Sequence, residues 1–124
     1  MDVYKRLEEL DIKLLDPTPK GGIYSTVQPY GGHLLYVSGT APHNKVDENM
    51  CGKLGSEYTI EEGQEASRRC MLNILSNLHH ELGDLNRIKK FVKILGFVAS
   101  APDFYEHPQV INGASQMLKD VFGE

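Results

Sequence analysis

Between Thr59 and Gly83 the chain carries a complete set of helix instructions, and these limit what the rest can become. Thr59 is followed three residues later by Glu62, the spacing of a capping box in which hydroxyl and carboxylate each satisfy an orphan backbone N–H. Glu61 and Glu62 put negative charge at the positive end of the helix dipole. Ala66, Cys70, Ile74, Leu78 and Leu82 recur every four residues, joined on the same stripe by Met71 and Leu75. Gly83 stands where a left-handed C-cap is needed. A long helix with one apolar stripe must bury it against another layer.

The neighbouring segments supply that layer. Leu34–Ser38 (LLYVS) is a continuous apolar run, expected as a strand covered on both faces or lying at a subunit contact. Ile88 to Ala99, with Phe91, Val92, Ile94, Leu95, Phe97 and Val98, predicts the strongest further strand, closed by a turn over Ser100–Asp103. A last helix is expected over Pro108–Phe122, on a stripe of Val110, Ile111, Ala114, Met117, Leu118 and Val121.

Upstream, Val3, Leu7, Leu10 and Leu14 predict an amphipathic helix over residues 2–15, broken by Pro17 and Pro19. Lys20-Gly21-Gly22 reads as a turn, Ile23–Gln28 as a strand, and Pro29-Tyr30-Gly31-Gly32 as a hairpin connection. A polar loop over Ala41–Gly52 leads to a short β segment near Lys53–Tyr58. The expected order is α, β, β, short β, α, β, α, one α+β domain of two layers spanning residues 1–124.

Charge and composition narrow the function. Seventeen acids against 13 bases give a net charge of −4, which argues against a general phosphate-binding surface. The basic clusters Lys5-Arg6, Arg68-Arg69 and Arg87/Lys89/Lys90 are short and read as solvated faces. No run approaches the ~20 apolar residues of a membrane span, and the charged, periodic N-terminus is no signal peptide. Two cysteines, Cys51 in a loop and Cys70 on the helix stripe, fit a reducing, cytoplasmic setting rather than a disulfide scaffold.

Five histidines raise the question of a metal. His79 and His80 are adjacent and point about 100° apart on a helix. His33, His43 and His107 stand singly near turns, and no HxxxH, HExxH or CxxC spacing occurs, so no metal site is expected. Neither a dinucleotide fingerprint, a P-loop nor a GxSxG elbow is present, so no organic cofactor is expected either.

Three phrases in fixed order carry a resemblance: HLLYVSGTAP at His33–Pro42, KLGSEYTIEEGQEA at Lys53–Ala66, and KILGFVASAPDF at Lys93–Phe104. From about Lys20 to Gly123 the chain resembles the YjgF/RidA family, also labelled "L-PSP endoribonuclease", and most closely its longer branch with an extra N-terminal helix. The resemblance implies the chorismate-mutase-like fold: a mixed sheet with two main helices on one face, assembled as a homotrimer with ligand clefts between subunits. It also implies an enamine/imine deaminase, hydrolysing a small reactive 2-imino acid to a 2-keto acid and ammonia without metal or cofactor.

Carried over by position, Tyr24 matches the pocket tyrosine of the family's first strand, and Ser38 and Gly39 match its Ser-Gly pair. Thr40 stands where many members have glutamine, and Pro102 falls near the position of a pocket asparagine. These residues would line a site for a small carboxylate or imino acid. The family continues past Phe122-Gly123 into a strand bearing a carboxylate-binding arginine and then a glutamate, neither of which this sequence contains. Weak or absent deaminase activity is therefore expected of this chain, and either the protein extends beyond Glu124 or a neighbouring chain fills the gap in the sheet.

Bland readings stand beside these. Tyr24 fits an interface or core aromatic, Ser38 can serve a neighbouring backbone group, and Gly39 can permit a bend. Lys89, Lys90 and Lys93 could replace the missing cation, but their positions favour the surface. Asn112 and Ser115 could line a cleft, with hydrogen bonding across the helices the favoured reading. A non-enzymatic small-molecule-binding homotrimer is the alternative function. Ribonuclease activity is less favoured, because RNA cleavage without metal needs a placed base, an acid and cations on the phosphate.

Overall fold

The computed structural model describes residues 2–16, 22–42 and 51–123. The helix instructions between Thr59 and Gly83 are obeyed. Helix α2 spans Ile60–Leu82, its N-cap Thr59 and Glu62 forming both halves of the capping box, and it ends on Gly83 at φ 77°. Helix α3 spans His107–Phe122, one residue longer at its start than the sequence pattern predicts.

α2 and α3 pack along each other. Met71, Leu75 and Leu78 of α2 meet Ala114, Met117, Leu118 and Val121 of α3, and Val3, Leu7 and Leu85 join the same buried cluster. Ala66, Cys70, Ile74 and Leu82 of the expected stripe are only half-buried. Their fully buried places are taken by polar side chains, Ser67, Asn73, Ser76 and Asn77. Asn73 and Ser76 hydrogen-bond the Ala41 carbonyl and the Leu15 N–H, and Ser67 serves the close packing of α2 on the start of α3. Ser67 Oγ lies 2.7 Å from the Val110 carbonyl and 3.0 Å from that of Gln64, and it accepts the Ala114 N–H at 3.1 Å. A Cβ on Gly113 would run into the Gln64 carbonyl oxygen and Ser67 Oγ, so glycine permits the approach. The cross-helix hydrogen bonds expected of Asn112 and Ser115 are therefore made by Ser67, while those two side chains are exposed.

Helix α1 covers Val3–Glu9, about half the expected length. Asp11 takes φ 55°, and the Ile12 N–H turns back to the Leu7 carbonyl at 2.9 Å, so the chain leaves the helix well before Pro17. The apolar period continues because residues 12–15 form an extended strap. Ile12 and Leu14 pack on the core, the Leu15 N–H donates to Ser76 Oγ at 2.9 Å, and His80 Nε2 meets the Leu15 carbonyl at 3.2 Å. Arg6 Nε donates to the Asp120 carbonyl at 2.7 Å, tying α1 to the last turn of α3. Pro17, Pro19, Lys20 and Gly21 lie outside the described residues.

Strands β1 (Val27–Tyr30) and β2 (Leu34–Val37) form an antiparallel hairpin with Val27 opposite Val37 and Tyr30 opposite Leu34. Gly31 at φ 69° and Gly32 at φ 90° make the turn, as the hairpin signal predicts. β1 sits later than the expected Ile23–Gln28, because the turn fixes which residues face β2. Ile23 and Tyr24 fall before the ladder and are exposed. Pro29 is tolerated in β1 as an edge residue with no N–H to leave unpaired. Leu35 and Val37 face the helices, whereas Leu34 and Tyr36 are exposed, so within this chain β2 is covered on one face rather than both.

The strand expected over Ile88–Ala99 does not form a ladder among the described residues. Its apolar pattern is used by half: Ile88, Phe91 and Ile94 pack on the core, and Val92, Leu95 and Phe97 are 80%, 69% and 89% exposed. A strand needs neighbouring backbone, and among the described residues only Leu54 supplies it. The Leu54 N–H donates to the Ala99 carbonyl and the Leu54 carbonyl accepts the Ala101 N–H, both at 2.9 Å, in a parallel bridge to Ser100. The short β segment near Lys53–Tyr58 is a turn closed by a bridge between Leu54 and Tyr58. The result is an α+β arrangement with the helices on one side of the hairpin, and antiparallel and parallel pairing both present.

Candidate functional site

Past the end of β2 the chain crosses α2 through Ser38, Gly39, Thr40 and Ala41, and four side-chain contacts hold this crossing. The Ser38 N–H makes the last hairpin bond, to the Thr26 carbonyl at 2.9 Å, and Ser38 Oγ donates to the Ser25 carbonyl at 2.6 Å. Thr40 Oγ1 donates to the Cys70 carbonyl at 3.1 Å, and Cys70 Sγ returns a contact to the Thr40 carbonyl at 3.6 Å. Asn73 Nδ2 donates to the Ala41 carbonyl at 2.9 Å. Burial pushes the Cys70 thiol above its ordinary pKa, partly offset by the bond to Thr40. It stays a neutral packing group.

Gly39 differs from its neighbours. It is exposed, has no left-handed φ, and a Cβ built on it would meet nothing within 4 Å. Among the described residues neither backbone conformation nor crowding calls for glycine there. Tyr24, with its ring against Gly22, is exposed ahead of β1. Ser38 and Thr40 thus spend their hydroxyls on the scaffold, while Gly39 and the Tyr24 side chain are exposed.

Lys89, Lys90 and Lys93 are on the surface, as is Pro102 in the turn after the bridge at Ser100. His79 Nδ1 pairs with the Tyr4 hydroxyl at 2.7 Å, and that hydroxyl also accepts the Leu85 N–H at 2.8 Å. His33 is exposed in the hairpin turn, and His43 lies outside the described residues. Among the described residues no three metal-ligating side chains come together.

Two features escaped sequence reading. A groove of about 360 Å³ opens beneath α1, lined by Tyr4, Leu7, Ile12, Leu14 and His79. Ser100 Oγ and His107 Nε2 lie 3.0 Å apart across the Pro102 turn. A serine and a histidine on either side of a predicted turn were the only available signal for this pair, and it is a weak one.

The profile of the family described as "YjgF/chorismate mutase-like, putative endoribonuclease" matches residues 12–124. A crystal structure titled as a putative endoribonuclease from Shewanella oneidensis MR-1 is similar at a TM-score of 0.90 and 30% identity, covering 99% of this chain and 81% of that one. The Agrobacterium tumefaciens protein Atu1372, of unknown function, is similar at a TM-score of 0.81 and 37% identity, over 98% and 73% of the two chains. Protein TCP17 of Trypanosoma cruzi is 47% identical over 93 residues, which are 75% of this chain, and the match spans 58% of that relative's length. The chain has the YjgF fold and belongs to the YjgF/chorismate mutase-like family.

Proposed function

We propose that the chain hydrolyses small reactive 2-imino acids to 2-keto acids and ammonia, in clefts between the subunits of a homotrimer. The observation that carries this reading is Gly39: an exposed glycine at which a Cβ would meet nothing within 4 Å among the described residues. That open space supports a ligand laid against the backbone. The N–H groups of Gly39 and Thr40, which follow the last hairpin bond, receive its carboxylate in this reading. Water adds to the imine carbon, the Tyr24 hydroxyl serves as proton donor to the nitrogen, and the C–N bond breaks to release ammonia.

The reading is tested with an imino acid generated in place, following keto-acid release. The protein should accelerate it, and Gly39→Val should remove the acceleration by ~10-fold or more while far-UV circular dichroism stays the same. No acceleration over buffer would overturn the proposal.

The second reading is a binding trimer without turnover, favoured by the engagement of the Ser38 and Thr40 hydroxyls with Ser25 and Cys70. Titration with small carboxylates distinguishes them: binding lost in Gly39→Val, with no imine hydrolysis, selects the binding protein. The endoribonuclease description of the family and of the Shewanella protein is met here by a net charge of −4, and purified protein is expected to leave a fluorogenic RNA uncut.

A further inference from the structure

We propose that Ser100 and His107 form a nucleophile–base dyad that accepts acyl groups from small apolar esters, an inference independent of the imine reading. Ser100 Oγ lies 3.0 Å from His107 Nε2, inside hydrogen-bond reach, and both residues are half-buried. Each is held from its own side. Ser100 is fixed by the backbone bonds of Ala99 and Ala101 to Leu54, which is itself buried. His107 is the first residue of α3, followed by a proline that presets the helix, and the Phe104 ring stands edge-on to the imidazole at 5.2 Å.

The carboxylate beside His107 is otherwise engaged: Glu106 accepts from Gln109 Nε2 at 3.3 Å. Among the described residues no acid is bonded to the imidazole, so the arrangement is a dyad rather than a triad. With Nε2 as acceptor, Ser100 Oγ attacks the ester carbonyl carbon and its proton passes to Nε2. The bond from that carbon to the leaving oxygen breaks, and the alcohol departs with the proton from Nε2. Water then attacks the acyl-serine ester, giving one proton through Nε2 back to Ser100 and releasing the acid. At the start of α3 Pro108 carries no N–H, and Gln109 and Val110 donate theirs to the Glu106 carbonyl at 3.2 and 3.4 Å, so the first turn offers the transient oxyanion no N–H beyond that of His107. The Phe104 ring against the imidazole favours a small apolar acyl group over a charged one.

A fluorophosphonate probe on the intact chain tests this, forming an Oγ–P bond with loss of fluoride. Intact mass should rise by one adduct, and peptide mapping should place it on Ser100. Ser100→Ala should abolish it, and His107→Gln should slow it by ~100-fold. If either variant fails to fold, Ser100→Cys serves instead. Its new thiol should be alkylated at neutral pH faster than the same thiol in Ser100→Cys/His107→Gln, a difference that a merely structural hydrogen bond would not produce. No adduct, an adduct elsewhere, or a thiol indifferent to His107 would overturn the proposal.

Discussion

Ser67 shows how much one small polar side chain can hold. Its hydroxyl is buried between α2 and α3, shared between two carbonyls and one N–H. Ser67→Ala leaves the Val110 carbonyl and the Ala114 N–H without that partner, and should cost about 1–3 kcal/mol in urea unfolding. Gly113→Ala attacks the same contact from the other helix, pressing a methyl on the Gln64 backbone, and is expected to cost about 3 kcal/mol. Cys70 gives a pH signature. Its thiol pKa is raised in the folded chain, so the unfolded chain ionises first. The stability it contributes is whole below the ordinary thiol pKa and declines as pH rises above it. Cys70→Ala should flatten that alkaline decline, measured as urea midpoint against pH.

At the scale of elements, α2 was readable almost to the residue because its stop and start are local chemistry. Thr59→Ala removes the hydroxyl that accepts the Glu62 N–H and should cost ~1 kcal/mol. Gly83→Ala forces a side chain into the left-handed region and should cost about 1–2 kcal/mol. Both are read from thermal or urea midpoints, with α2 still formed. The segment over residues 88–99 is the opposite case. Its β-branched and aromatic content reports burial, but a ladder is made by whatever backbone lies alongside, and among the described residues only Leu54 does so. Helix α1 failed for a similar reason: the apolar period of Val3, Leu7, Leu10 and Leu14 is equally well served by a helix followed by a strap.

For the whole molecule, the uncovered side matters most. Tyr30, Leu34 and Tyr36 on the hairpin, with Val92, Leu95 and Phe97, are large, apolar and exposed. A surface of this kind marks an interaction site. The proposed homotrimer would cover it with copies of itself. Sedimentation equilibrium at micromolar concentration should return three times the chain mass. Tyr36→Lys combined with Phe97→Glu should return the single mass with helix content retained. A wild-type monomer would remove the trimer, and with it the intersubunit cleft on which the Gly39 reading depends.

Family, fold class and the two main helices were determined by sequence alone, because caps, stripes and turn glycines act within a few residues of themselves. Ser38, Gly39 and Thr40 were placed at the end of the hairpin's second strand by the same local logic, whereas Tyr24, expected within the first strand, lies ahead of β1. What the hydroxyls of Ser38 and Thr40 do was decided by tertiary structure, since their acceptors, Ser25 and Cys70, lie 13 and 30 residues away. The Ser100–His107 pair and the groove under α1 belong to the same class. A hydrogen bond needs its partner within about 3 Å, and sequence separation says nothing of that distance until the chain has packed.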